Sequence, residues 1–222
     1  DPLMMAGAAL LLIGFGFKVA LVPFHMWSPD VYQGSPAPVT AFIATGPKAA
    51  AFAAFARVYI DTLPSLSVEW AAILFWISIF SMVGGNLLAL VQRDIKRMLA
   101  FSSISHAGYI IMAIIAGPKL AVSNPELAPA AIIYYVMVYA LMNIAAFTII
   151  HVFETREGRN LNVEDFSGFG FRYPLLSVAM STAMLSMAGF PLTGGFIGKL
   201  QIFSAAVDAG YVVLTIVAVI TT

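Results

Sequence analysis

Long apolar stretches limit what this chain can become. Seven run through the sequence, roughly Leu3–Val22, Val39–Ile60, Glu69–Val91, Ile95–Ala116, Pro129–Phe153, Pro174–Val207 and Tyr211 to Thr222. A helix needs about 20 predominantly apolar residues to cross a bilayer, and all the stretches but the last are long enough. The chain is 61% hydrophobic and 10% charged, whereas soluble domains carry about 25% charged residues. The expected fold is an all-α polytopic membrane protein of about six full spans plus a partial one. The start at Asp1 and the short final run lead us to expect an internal fragment of a larger protein. No basic region with a cleavage site precedes the first stretch.

Two stretches are not simple rods. The first carries Lys18 and runs into Pro23, followed by His25 and Trp27. Proline removes a backbone donor and kinks or ends a helix. The sixth is 34 residues long and is interrupted by Gly189-Phe190-Pro191-Leu192-Thr193-Gly194-Gly195. Pro23, Gly189, Pro191 and Gly194 are therefore the expected helix breaks. The two discontinuous helices stand five stretches apart, an odd number, so they cross in opposite directions. Such a pair suggests inverted structural repeats.

Basic residues set the orientation. Arg93, Lys96 and Arg97 follow the third stretch, and Arg156, Arg159 and Arg172 follow the fifth; the opposite side has Lys119 and Arg57. Loops 92–97 and 154–173 are accordingly expected in the cytoplasm, together with the segment Pro23–Pro38.

Three lysines fall inside apolar stretches: Lys18, Lys48 and Lys199. Every carboxylate falls in a loop or at a span end. A charged side chain at the bilayer centre costs about 2.5–3.5 kcal/mol on insertion scales, so these ammonium groups point to a functional pathway lacking a counter-charge in this chain. Snorkelling to an interface is the competing account. It suits Lys18, nearest its helix end, better than Lys48 or Lys199. Histidine, which titrates near neutrality, suits a relay between amines. His106 is placed mid-span and is the expected relay. Ser102 and Tyr109 share its helix face by spacing, and Tyr139 lies on a polar face of the next helix. With His25 at the first break, they are accessory candidates. A lone Tyr or Ser in a membrane helix also serves as packing glue.

Other chemistry finds no support. Net charge is zero, so nucleic acid is not an expected partner. With no cysteine there is no thiolate metal site and no iron–sulfur cluster in this chain. The three histidines are scattered, and neither a metal site nor a bound cofactor is expected.

The motifs Phe17-Lys18, Val22-Pro23-Phe24-His25-Met26-Trp27-Ser28-Pro29-Asp30-Val31-Tyr32-Gln33-Gly34-Ser35-Pro36, Ser102-Ser103-Ile104-Ser105-His106-Ala107-Gly108-Tyr109 and Gly189–Lys199 resemble one family. It comprises the antiporter-like membrane subunits of bacterial NADH:quinone oxidoreductase (respiratory complex I), and the Pro-Asp-Val-Tyr ending is similar to the N type. The resemblance implies an antiporter-like fold with two inverted repeats. Residues 3–60 would end the first repeat and 69–222 would form most of the second, within a single membrane domain, 1–222. It implies a proton relay through Lys18, Lys48, His106 and Lys199, coupled to quinone reduction in other subunits of this translocase. The paired glutamate would lie before Asp1. NADH, FMN, iron–sulfur clusters and quinone would sit in partner subunits, and neighbouring membrane-arm subunits and the lipid bilayer would surround the chain in a bacterial inner membrane. An Mrp-type cation/proton antiporter is the alternative, and a non-conducting scaffold a third.

Overall fold

The computed structural model describes residues 2–222, all of whose regular structure is helical. Ten α-helices follow one another: α1 (Pro2–Val19), α2 (Trp27–Gly34), α3 (Ala37–Ala56), α4 (Ser67–Leu90), α5 (Ile95–Leu120), α6 (Leu127–Glu157), α7 (Phe169–Arg172), α8 (Pro174–Ala188), α9 (Gly194–Asp208) and α10 (Val212–Ile220). Asp1 lies outside the described residues. A π-helical turn extends α3 to Thr62. Five continuous helical runs are long and apolar enough to cross a membrane: Pro2–Val19, Ala37–Thr62, Pro64–Leu90, Ile95–Leu120 and Leu127–Glu157. The expected sixth span is divided into α8 and α9, of 15 residues each, and α10 has nine. Exposed Leu10, Phe42, Ile73, Trp76 and Leu141 on the outer faces suit hydrocarbon.

Both expected breaks are present, and each open helix end finds partners, as buried backbone groups must. After α1 the chain turns at Ala20, whose φ is +61°. Leu21 N–H donates to Gly16 O at 2.8 Å, Trp27 Nε1–H caps Phe17 O at 2.8 Å, and Val22 N–H donates to Ser81 Oγ at 3.0 Å. Within Pro23–Pro38, residues Trp27–Gly34 are helical and follow the first break. The second break spans 189–193. Gly189 sits at φ +82°, where a side chain is strained, and Phe190 N–H reaches back to Leu185 O at 2.9 Å. Thr193 then caps α9 through its hydroxyl.

α5 is the central helix, with nearly all of Leu99–Gly117 buried. Around it lie two large apolar clusters, with two smaller ones beside them. One holds Phe52, Phe55, Tyr59, Ile110–Ile115, Ile132, Tyr135 and Ile202. The other holds Tyr32, Ala44, Leu99, Tyr139, Phe147, Met180 and Met187. The gap between them falls at the same depth on each helix. On α3 it contains Lys48, on α5 Ser103, Ser105 and His106, and on α9 Lys199.

Residues 30–36, 92–97 and 154–163 meet at one end of the bundle. Arg97 pairs with Asp30, and Val163 N–H donates to Arg93 O at 2.8 Å. The two basic segments thus share a side, as expected. Their extents differ from the sequence reading. Lys96 and Arg97 already belong to α5, α6 runs on through Glu157, and Val163–Phe166 and Phe169–Arg172 are helical.

Candidate functional site: a polar layer between two apolar cores

Lys48 and His106 each lie eleven residues into their helices, counted from the same end of the bundle. At 1.5 Å per residue that is about 17 Å, half of a hydrocarbon core. Both are buried, at 3% and 4% exposure, and Lys199 at 4%. Lys48 Nζ donates to Ser103 Oγ and lies 5.8 Å from the centre of the Tyr32 ring. Tyr32 OH lies 3.4 Å from the same Ser103 hydroxyl.

Three residues along α5, His106 Nδ1 is 2.6 Å from Tyr135 OH. Its ring also packs beside Tyr109 and Tyr139, with centroids 6.0 and 5.1 Å away. The Tyr139 hydroxyl is buried next to Ser103 and Asn143. Lys199 Nζ donates to Ala188 O at 3.1 Å, a carbonyl left open where α8 ends, and lies 5.0 Å from the Tyr109 ring centre. An ammonium at a helix C-terminus is favoured by the helix dipole. Among the described residues, the ion pairs involve neither lysine.

A cavity of about 900 Å³ opens beside this layer, with Ser102, Ser105, His106, Tyr109 and Lys199 among its polar lining. The layer can therefore take up water next to a histidine and an amine. Chemically it offers two amines, an imidazole and four tyrosine rings within one buried layer.

Most of the expected residues are brought together: Lys48, His106, Lys199, Ser102, Tyr109 and Tyr139. Tyr109 is also committed elsewhere, its hydroxyl donating to Thr221 O at 2.8 Å. Lys18 is exposed on the last turn of α1 and joins none of these groups, and His25 is half-buried at the break. Sequence reasoning passed over Ser103 and Tyr32, and did not place Tyr135 in the site. Ser103 was findable: it lies three residues before His106, on the same stripe of α5. It also counted Lys96 among loop residues, and this is a correction. Lys96 is 1% exposed and pairs with Glu154 at 2.8 Å.

The fold and this layer define a multi-pass, all-helical membrane protein built around two broken helices and a buried row of amines. Residues 1–222 match the family model described as "NADH:quinone oxidoreductase/Mrp antiporter, TM" over their whole length, and the chain belongs to that family. It is similar to NADH-quinone oxidoreductase subunit N of Trichlorobacter lovleyi, with 44% identity over 99% of this chain and 44% of that protein. Among solved structures it resembles a chain of respiratory complex I from Thermus thermophilus, at TM-score 0.79 and 39% identity, covering 96% of this chain and 45% of that one. It also resembles a chain of the Mrp complex from Dietzia, at TM-score 0.88 and 26% identity, covering 100% and 40%. The chain spans less than half the length of the curated relatives it matches.

Proposed function

We propose that this chain translocates protons as part of the N-type membrane-arm subunit of NADH:quinone oxidoreductase, driven by quinone reduction in other subunits. NADH, FMN, iron–sulfur clusters and quinone belong to those partners. The carrying observation is the buried layer: Lys48, His106 and Lys199 are all deeply buried, and among the described residues no carboxylate pairs with either lysine. An ammonium in water holds its proton too tightly to pass it on at neutral pH, burial loosens that hold, and an approaching carboxylate restores it. A carboxylate moving against the layer from another part of the protein would thus drive protons along Lys48, His106 and Lys199. Lys18 would carry the proton at the first broken helix, with His25, Ser102, Tyr109 and Tyr139 as accessory groups. Residues 3–60 and 69–222 would belong to two inverted repeats, and loops 92–97 and 154–173 would face the cytoplasm of a bacterial inner membrane.

The test is proton pumping by the reconstituted complex carrying Lys48→Met or Lys199→Met. Pumping is expected to fall while assembly persists, and normal pumping in both variants refutes the assignment. The Mrp-type reading draws on the closer structural fit to the Dietzia chain. It predicts sodium–proton exchange by vesicles without a redox partner. The Pro29-Asp30-Val31-Tyr32 motif and the higher identity to the oxidoreductase relatives weigh against it.

A further inference from the structure

Lys96 is a third deeply buried lysine, and the proton route proposed above does not use it. Its ammonium makes two hydrogen bonds and one ion pair, to three different segments. Ser35 O accepts a hydrogen bond at 2.9 Å where α2 ends and Asn160 Oδ1 one at 3.2 Å in the loop after α6, while Glu154 Oε1, near the end of α6, stands 2.8 Å away as an ion pair. Lys48 and Lys199 each have a single hydrogen-bond acceptor. Lys96 is therefore held as a fixed charge.

What it holds is α2. Eight residues are too few to form a stable helix alone, and the broken segment 20–26 precedes them, so packing and polar ties must place α2. Asn160 Nδ2–H donates to Gln33 O at 3.0 Å, and Arg97 reaches Asp30 and Gln33 at 2.5 and 3.1 Å. The Arg97–Asp30 pair is exposed, at 32% and 73%, and exposed pairs contribute little. The buried Lys96–Glu154 pair is the strong tie, because removing one partner strands the other. One turn back along α2, Tyr32 touches both Ser103 and Lys48.

We propose that Lys96 and Glu154 are positioning residues for Lys48: the pair pins the short helix α2 against α5 and α6, and so keeps Tyr32 over the Lys48–Ser103 contact. This rests on the reading of Lys48 as a proton carrier. The test uses the assembled complex carrying the double substitution Lys96→Met/Glu154→Met, which removes both charges together and strands neither. Amide exchange across residues 27–36 is expected to quicken by at least about tenfold, equivalent to about 1.4 kcal/mol. Exchange across 189–199, at the other break, stays unchanged. Coupled turnover falls. Tyr32→Phe reproduces that fall without faster exchange, and Lys96→Arg, which keeps charge and donors, restores both readouts. Unchanged exchange across 27–36 overturns the proposal. So does faster exchange with normal turnover, or equal loosening of 189–199, which marks a general loss of packing. If Lys48→Met itself leaves turnover intact, the proton-carrier reading falls, whereas faster exchange confined to 27–36 still upholds the pin.

Discussion

Two adjacent glycines on α4 offer a controlled test of how the central helix is seated. A Cβ built on Gly85 would lie 2.8 Å from the Ser105 backbone nitrogen and 2.9 Å from the Phe101 carbonyl oxygen. Both are backbone atoms of α5, so neither can rotate away. A Cβ on Gly84 meets nothing within 4 Å. Either glycine changed to alanine gains helix propensity of about 1 kcal/mol. Only Gly85→Ala must also push α4 and α5 apart, an overpacking cost of about 1–3 kcal/mol. The propensity gain cancels between the variants, leaving that cost as the difference. For a domain of this size, 1 kcal/mol corresponds to about 2–4 °C in Tm, so Gly85→Ala should melt several degrees below Gly84→Ala. The assay is thermal denaturation of the two variants in identical nanodiscs. Gly85→Ala should also weaken turnover, because the displaced segment carries Ser105 and His106. Equal melting of the two variants would refute the close approach of α4 to α5.

Three further outcomes are expected. Tyr135→Phe leaves His106 Nδ1 without its hydroxyl partner, a loss of about 1–3 kcal/mol for a buried polar atom; a lower melting temperature and slower turnover should both appear, and wild-type values for both would contradict the contact. Outside the membrane, Arg159 and the Asn162 backbone N–H hold the Asp165 carboxyl down at about 2. A lowered carboxylate contributes above its ordinary value and fades as pH falls toward 2; pepsin should therefore cut around Phe166 increasingly from pH 4 down to pH 2, and Asp165→Asn should already be cut at pH 4 (boundaries of about one unit). At the other end, Lys119 Nζ lies 3.9 Å from the Tyr211 ring centre; Tyr211→Leu should cost about 0.5–1 kcal/mol, read as a small fall in Tm.

Which parts of this structure could be read from sequence follows from how local their causes are. The breaks are local: Pro23 and the Gly189–Gly195 cluster act on their own backbone, and the helices end within a few residues of them. Lys48 and Lys199 are nearly as legible, since a lysine deep in an apolar run must be accommodated inside. Lys96 is the counterexample. Its neighbours Arg93, Asp94 and Arg97 describe a wet turn, and its burial depends on Ser35, 61 residues away, and on Glu154. Ser103 was obscured for a different reason. The run Ser102-Ser103-Ile104-Ser105 offers hydroxyls in several directions, and only the arrival of Lys48 from α3 singles out one of them. Lys18 shows the limit of composition as a guide: it sits on a broken helix as Lys199 does, yet is exposed on this chain.

The three buried ammonium groups divide by how they are bonded, and that division bears on the proposed mechanism. Lys96 has a carboxylate at 2.8 Å and two further acceptors, so its charge is paired within this chain. Lys48 and Lys199 each rest on one neutral oxygen and one aromatic face. An aromatic face favours the cation by about 2 kcal/mol or more when desolvated, but it carries no net charge, and a neutral oxygen accepts from an amine as well as from an ammonium. Either lysine can therefore become neutral without leaving a charge unpaired. The apolar clusters on both sides of the layer strengthen the argument, because an excess proton finds no polar ladder through Phe147, Ile150 and Leu99 on one side or through Ile111–Ile115 on the other. Under the proposed reading, the residues of this chain favour transfer within the layer over leakage across it. The step that admits or releases a proton has the cavity beside the layer as its opening, since Gln92 and Val163, at one end of the bundle, line it together with His106 and Lys199.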